Sequence, residues 1–187
     1  MARIRLLRDH EAPEDTREIF RKIEANGAKV LNLYRAVGHS PSTVSTFIKL
    51  GNVLLNRTVL PPHLRELAIL RIATLLECGY EWTQHEPIAR GAGITESQLN
   101  DVARWDSADS FSEVERAVLR YTDEVTLNNK VSDETFSGLE RHLDERDLVE
   151  LTLAIGYWGM IARVLVPLEI EVEDKSIGST GDLLGRS

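Results

Sequence analysis

The chain has 187 residues, of which 42% are hydrophobic and 28% charged, and its formal net charge is −8. That is enough for one well-packed domain with the composition of an ordinary soluble globular protein. Lys and Arg are scattered among acids instead of clustered, which argues against a nucleic-acid partner.

Apolar residues recur at three- and four-residue intervals almost throughout and strand-like alternation is never sustained, so the sequence predicts an all-α fold. A first helix runs from Pro13 to Asn26, opened by Pro13, Glu14 and Asp15 and closed by Gly27. A short helix follows over Val30 to Val37. Ser40-Pro41 then starts another, which carries Phe47, Leu50, Leu54 and Leu55 and ends near Asn56. Pro61-Pro62 begins a helix reaching Cys78, whose Leu64, Leu67, Ala68, Ile69, Ile72, Leu75 and Leu76 are apolar on more than one side, as in a central helix. Gly79 is the expected break, with a second helix beginning near Tyr80. After the turn Gly91-Ala92-Gly93, Thr95 caps a helix with Leu99 and Val102, and Asp106 to Ser110 reads as a polar loop. Ser112-x-x-Glu115 is a capping box opening a helix to about Leu127, and Ser132 starts the next. The last helix runs from near Asp144 to near Pro167. Its apolar stretch from Leu148 to Val166 is interrupted by Glu150, Tyr157, Trp158 and Arg163, so it is not expected to span a membrane. The expectation is one helical domain over residues 1–173 with a flexible tail over residues 174–187. The start, Met-Ala-Arg-Ile-Arg, has no apolar stretch of secretory length, and the single cysteine suits a reducing compartment, so a cytoplasmic protein is expected.

Chemistry concentrates in one segment. Cys78, Glu81 and His85 are spaced i, i+3 and i+7, which at 3.6 residues per turn places a thiol, a carboxyl and an imidazole along one helical stripe. Such groups exchange protons near neutrality, and an imidazole beside a thiol raises its thiolate fraction. Taken singly each residue has an inert explanation, as a surface Glu–His pair or a small buried thiol. Tyr80 and Trp82 interleave with the stripe as candidate substrate-binding walls. Glu66 lies upstream; an unbroken helix of twelve residues would carry it roughly 18 Å away, so it reaches the stripe only if the chain bends near Gly79. The other histidines, His10, His39, His63 and His142, share no ligand spacing with a carboxylate cluster, and no metal is expected.

Glu66, eleven intervening residues and Cys78-x-x-Glu81-x-x-x-His85 together resemble the motif of the carboxymuconolactone decarboxylase and alkylhydroperoxidase D-like family, Glu…Cys-x-x-Cys-x-x-x-His. Tyr80-Glu81-Trp82-x-x-His85 resembles the variant common in its decarboxylase-like branch. The resemblance runs over roughly residues 40 to 130. It implies an alkylhydroperoxidase D-like helical bundle, a homo-oligomer, commonly a trimer or hexamer, and a small-molecule substrate. In the peroxidase members the second motif cysteine attacks the peroxide and the first resolves it. Here Glu81 stands in place of the second cysteine, and Cys78 is the only cysteine, so no intramolecular disulfide can form. The decarboxylase members need neither metal nor organic cofactor. The resemblance therefore implies an enzyme with cofactor-independent proton-transfer chemistry, such as decarboxylation, isomerisation or lactone opening. His85 would be acid or base, Glu66 its orienting partner, Glu81 a second acid-base group, and Cys78 a thiolate or cavity lining. The alternatives are a single-cysteine peroxidase that uses an external thiol, and a non-catalytic oligomeric ligand-binding protein of the same fold.

Overall fold

The computed structural model describes residues 2–173, so the tail read over residues 174–187 lies outside the described residues. Among the described residues there are α-helices and two short 3₁₀ helices but no strand. Length predicts one domain; the described residues fall into two compact units, one formed by residues 2–58 together with residues 165–173, the other by residues 59–164.

The first unit contains α1 (Glu14–Ala25), α2 (Asn32–Val37) and α3 (Pro41–Asn56). Amphipathic α1 buries Thr16, Ile19, Phe20 and Ile23. Its Thr16 hydroxyl donates to the Gly38 carbonyl at 2.9 Å, and a side chain at residue 38 would lie 2.8 Å from Thr16 and 3.1 Å from Phe20, so only glycine fits that approach. The two chain ends of this unit are stitched together: the Arg3 N–H donates to the Leu168 carbonyl at 2.9 Å and the Asn32 amide to the Glu171 carbonyl at 3.0 Å.

The second unit is built around α4 (Pro62–Leu75), which is buried from Leu64 through Ala73, charged Arg65, Glu66 and Arg71 included. A helix apolar on several sides must be enclosed. Here α4 packs against α5 (Gly79–Gly91), α7 (Glu113–Asn128) and a 3₁₀ segment, Val102–Ser107. That segment follows directly on α6 (Glu96–Asp101), where the sequence predicts a loop from Asp106. Arg104 leaves helical backbone geometry, and the turn drives Trp105 into a core of Leu67, Leu70, Leu99, Phe111 and Leu119. The capping signals hold: Thr95 and Ser112 form capping boxes with Gln98 and Glu115, and Ser132 caps α8 (Asp133–Glu140).

The last helix, α9 (Glu145–Leu165), is the one helix among the described residues long and apolar enough to cross a membrane by length and composition. Its Leu151, Ala154, Ile155, Trp158 and Ala162 are buried. The Glu150 carboxylate accepts the N–H groups of Val59 and Leu60 at 2.7 and 2.9 Å, and Thr152 pairs with the Tyr121 hydroxyl of α7 at 2.7 Å. These ties bring Trp158 toward α5.

Candidate functional site

The bend that the stripe requires is present, made by a residue other than the one expected. α4 stops at Leu75; the Cys78 N–H reaches back to the Ala73 carbonyl at 2.8 Å and the Glu77 N–H to Thr74 at 3.3 Å, the paired bonds of a Schellman termination. Such a turn needs one left-handed residue, and Glu77 supplies it at φ 53°. Gly79, the predicted breaker, is instead the first residue of α5, with no neighbour within 4 Å of where a side chain would start. Position in the hydrogen-bonded turn, rather than residue type, decides which residue turns left-handed.

Cys78 then sits at the N-cap of α5, and Glu81 and His85 follow on the face that α5 buries, with Tyr80, Gln84 and Ala89. Cys78 is 2% exposed and Glu81 2%. Burial pushes the Cys78 thiol up to about 11, the nearby Glu81 carboxylate adds to the shift, and the first N–H groups of the helix, those of Glu81 and Tyr80, act in the opposite direction. Burial also holds the Glu81 carboxyl well above the usual carboxylate range. Neither of its oxygens meets a hydrogen-bonding group among the described residues. Glu81 therefore holds its proton to higher pH than an ordinary carboxyl, with no protein acceptor beside it among the described residues.

Glu66 meets the stripe at His85. Its Oε2 lies 2.8 Å from His85 Nδ1, and its Oε1 accepts from Arg65 Nε at 3.0 Å. The other imidazole nitrogen, Nε2, accepts the Trp158 indole N–H at 2.8 Å. An indole nitrogen only donates, so Nε2 carries no proton and Nδ1 donates to Glu66. Arg65, Glu66, His85 and Trp158 form one buried chain of donors and acceptors, in which the guanidinium already balances the carboxylate.

Of the two predicted aromatic walls, Tyr80 is buried on α5, and Trp82 is half-buried and packs against the Leu67, Leu70 and Trp105 core. Among the described residues no group of three His, Cys, Asp or Glu side chains is placed to hold a metal ion.

The sequence profile of the Carboxymuconolactone decarboxylase family matches residues 41–124, spanning the stripe and Glu66. YdfG of Bacillus subtilis is 31% identical over 103 residues, which make up 54% of this chain and 67% of that protein. The chain belongs to the carboxymuconolactone decarboxylase family. Solved structures agree on the fold. The alkylhydroperoxidase AhpD core of a peroxidase-related protein from Ralstonia eutropha superposes with a TM-score of 0.78 at 20% identity, covering 92% of this chain and 93% of that one. A debrominase, Bmp8, solved in complex with 2,3,4-tribromopyrrole, superposes with a TM-score of 0.76 at 19% identity, covering 93% and 95%. Those likenesses place this family member among AhpD-like all-helical folds.

Two residues of the buried chain escape a reading by family motif. Arg65 stands beside Glu66 and looks like a surface helix residue in sequence, yet it is 6% exposed. Trp158 lies 73 residues beyond His85, on a helix whose apolar pattern says only that it is buried. The sole sequence signal for Arg65 is a charge inside a helix apolar on all sides; for Trp158 there is none.

Proposed function

We propose that this member of the carboxymuconolactone decarboxylase family is an enzyme that transfers protons on a small carboxylated or lactone substrate, in a decarboxylation, isomerisation or lactone opening, with Glu81 as the proton donor. The observation that carries the reading is the buried Glu81 carboxyl, with both oxygens unpaired among the described residues and its ionisation pushed up by burial. Loss of CO2 from a conjugated acid leaves an electron pair on carbon, and a protonated carboxyl in a water-poor site is suited to quench it. His85 stands one turn along α5 from Glu81 and is held by Glu66 of α4, so that a fixed imidazole orients what binds beside Glu81. The reading includes assembly into a homo-oligomer, favoured by the exposed Val149, Leu153 and Met160 of α9, and light scattering reports it.

A second reading keeps Cys78 as the reacting group, in peroxide reduction with an external thiol, and the likeness of fold to the AhpD core and to a debrominase favours it. It is the weaker one, because a thiol pushed up to about 11 is protonated and a poor nucleophile near neutrality.

A panel of small lactones and unsaturated acids, and separately peroxides with an external thiol, assayed on the wild type and on Glu81→Gln and Cys78→Ser, separates the two. Proton transfer through Glu81 predicts turnover on the first set that Glu81→Gln abolishes and Cys78→Ser largely keeps. It also predicts that activity persists above the ordinary carboxylate range and falls as pH rises through the raised Glu81 value, where the carboxyl ionises. Full activity in Glu81→Gln would falsify the assignment.

A further inference from the structure

We infer that Trp158 is a positioning residue of this site: its indole N–H fixes the tautomer of His85 and keeps the basic ring nitrogen covered. The inference deepens the proton-transfer reading by naming what controls the imidazole, and it rests on that reading only for its consequence in the reaction. Three observations carry it. Trp158 Nε1 lies 2.8 Å from His85 Nε2, the two rings meet edge to face at 89° with centroids 5.4 Å apart, and both side chains are buried, Trp158 at 2% exposure. A contact so aligned and enclosed holds one geometry.

The consequence follows from counting donors. Nδ1 spends its proton on Glu66, and Glu66 is already balanced by Arg65, so nothing in the chain calls for a second proton on the ring. A proton arriving at Nε2 would face the indole N–H, donor against donor, and the bond would have to break first. His85 as held here does not take a proton from substrate. It presents a fixed dipole and an ordered Glu66, leaving proton delivery to Glu81, the carboxyl of the stripe whose two oxygens have no partner among the described residues. Tyr157 packs on Trp158 at 79° with centroids 5.1 Å apart and steadies the indole from the side.

The test reads the imidazole directly and needs no substrate, so its failure is distinct from failure of the proton-transfer reading. Protein labelled with 15N-histidine is examined by long-range proton–nitrogen correlation at neutral pH, with the His85 signals assigned by their loss in His85→Gln. The wild type is expected to show a protonated Nδ1 and a hydrogen-bonded, unprotonated Nε2. In Trp158→Phe, which keeps a ring and removes the donor, Nε2 is expected either to lose its hydrogen-bond shift or to take the proton. Trp82→Phe, which alters an indole packed against the Leu67 and Leu70 core, is expected to leave both nitrogens unchanged. A protonated Nε2 in the wild type overturns the inference even if Trp158→Phe does not fold. So does an unaltered pair of nitrogen signals in a folded Trp158→Phe, because a merely space-filling tryptophan would leave them where they were.

Discussion

Two carboxyl groups packed around the central helix of the second unit are treated in opposite ways. Asp123 of α7 receives Arg71 Nε and Nη2 at 2.6 and 2.9 Å and the Trp105 indole N–H at 3.0 Å, while the remaining Arg71 nitrogen caps the Val102 and Ala103 carbonyls at 3.0 Å each. Glu81 of α5 receives nothing among the described residues. Both lie around the same central helix, so this interior can satisfy an acid when only stability is at stake. The Arg71 cluster is a clamp that pins the 3₁₀ segment to α4 and α7. Glu81 keeps a destabilising feature that packing alone would remove, and a buried, unpaired carboxyl of that kind marks a candidate functional group.

The largest effect expected from breaking this comparison lies at Glu66, which serves both ends of the buried chain. Glu66→Ala strands the Arg65 guanidinium and His85 Nδ1 in an apolar interior, at a cost of about 3–5 kcal/mol in urea unfolding. A loss below about 1 kcal/mol, the value of an exposed pair, would mean that solvent reaches the network. Next comes the clamp. Arg71→Met leaves Asp123 without its cation, and because that carboxylate is part-exposed the cost falls at the low end of the same range, about 3 kcal/mol. Below its melting transition Arg71→Met should retain wild-type turnover, whereas a parallel loss of activity would dissolve the distinction between clamp and site.

Glu81→Met carries the opposite sign. An unbranched apolar side chain in place of an unpaired carboxyl should raise stability by about 1–3 kcal/mol, the penalty for a buried polar group without partners, while ending proton-transfer activity. The pH dependence of that gain tests its origin. A carboxyl held above its unfolded value binds its proton more tightly when folded, so the wild type is least penalised below the ordinary carboxylate range and loses stability as pH climbs toward the raised value. The advantage of Glu81→Met should therefore widen from acid to alkaline pH in thermal melts. A gain independent of pH would place Glu81 in contact with solvent.

Helices, caps and the i, i+3, i+7 stripe are short-range matters, and the sequence reveals them: the capping boxes at Thr95 and Ser112 and the helix from Pro41 to Asn56 stand where their residues put them. The meeting of Glu66 with His85 is legible only as a condition, that the chain bend between them, because a bend depends on which carbonyls the turn can pair. Trp158 is not legible at all. Its approach to His85 is fixed by how α9 lies over α5, which follows from long-range ties such as Glu150 to Val59 and Thr152 to Tyr121. The packing of Trp82 against Leu67 and Trp105 is hidden in the same way, because it depends on where α4 and the 3₁₀ segment lie beside α5.

The smallest expected effects, at the bend itself, sharpen the reading of why the site forms there. Glu77 holds a left-handed backbone that costs an ordinary residue about 1–2 kcal/mol and glycine almost nothing. Gly79 occupies a helical position with open space around it, where alanine is preferred by about 0.5–1 kcal/mol. Glu77→Gly and Gly79→Ala should thus each stabilise the protein by about 1 kcal/mol, and together by roughly the sum if the two backbone positions are independent. Because neither side chain faces the buried stripe, activity should not change. If Glu77→Gly were destabilising, the Schellman turn would not be what brings Cys78 to the head of α5, and the convergence of thiol, carboxyl and imidazole on one face would need another cause.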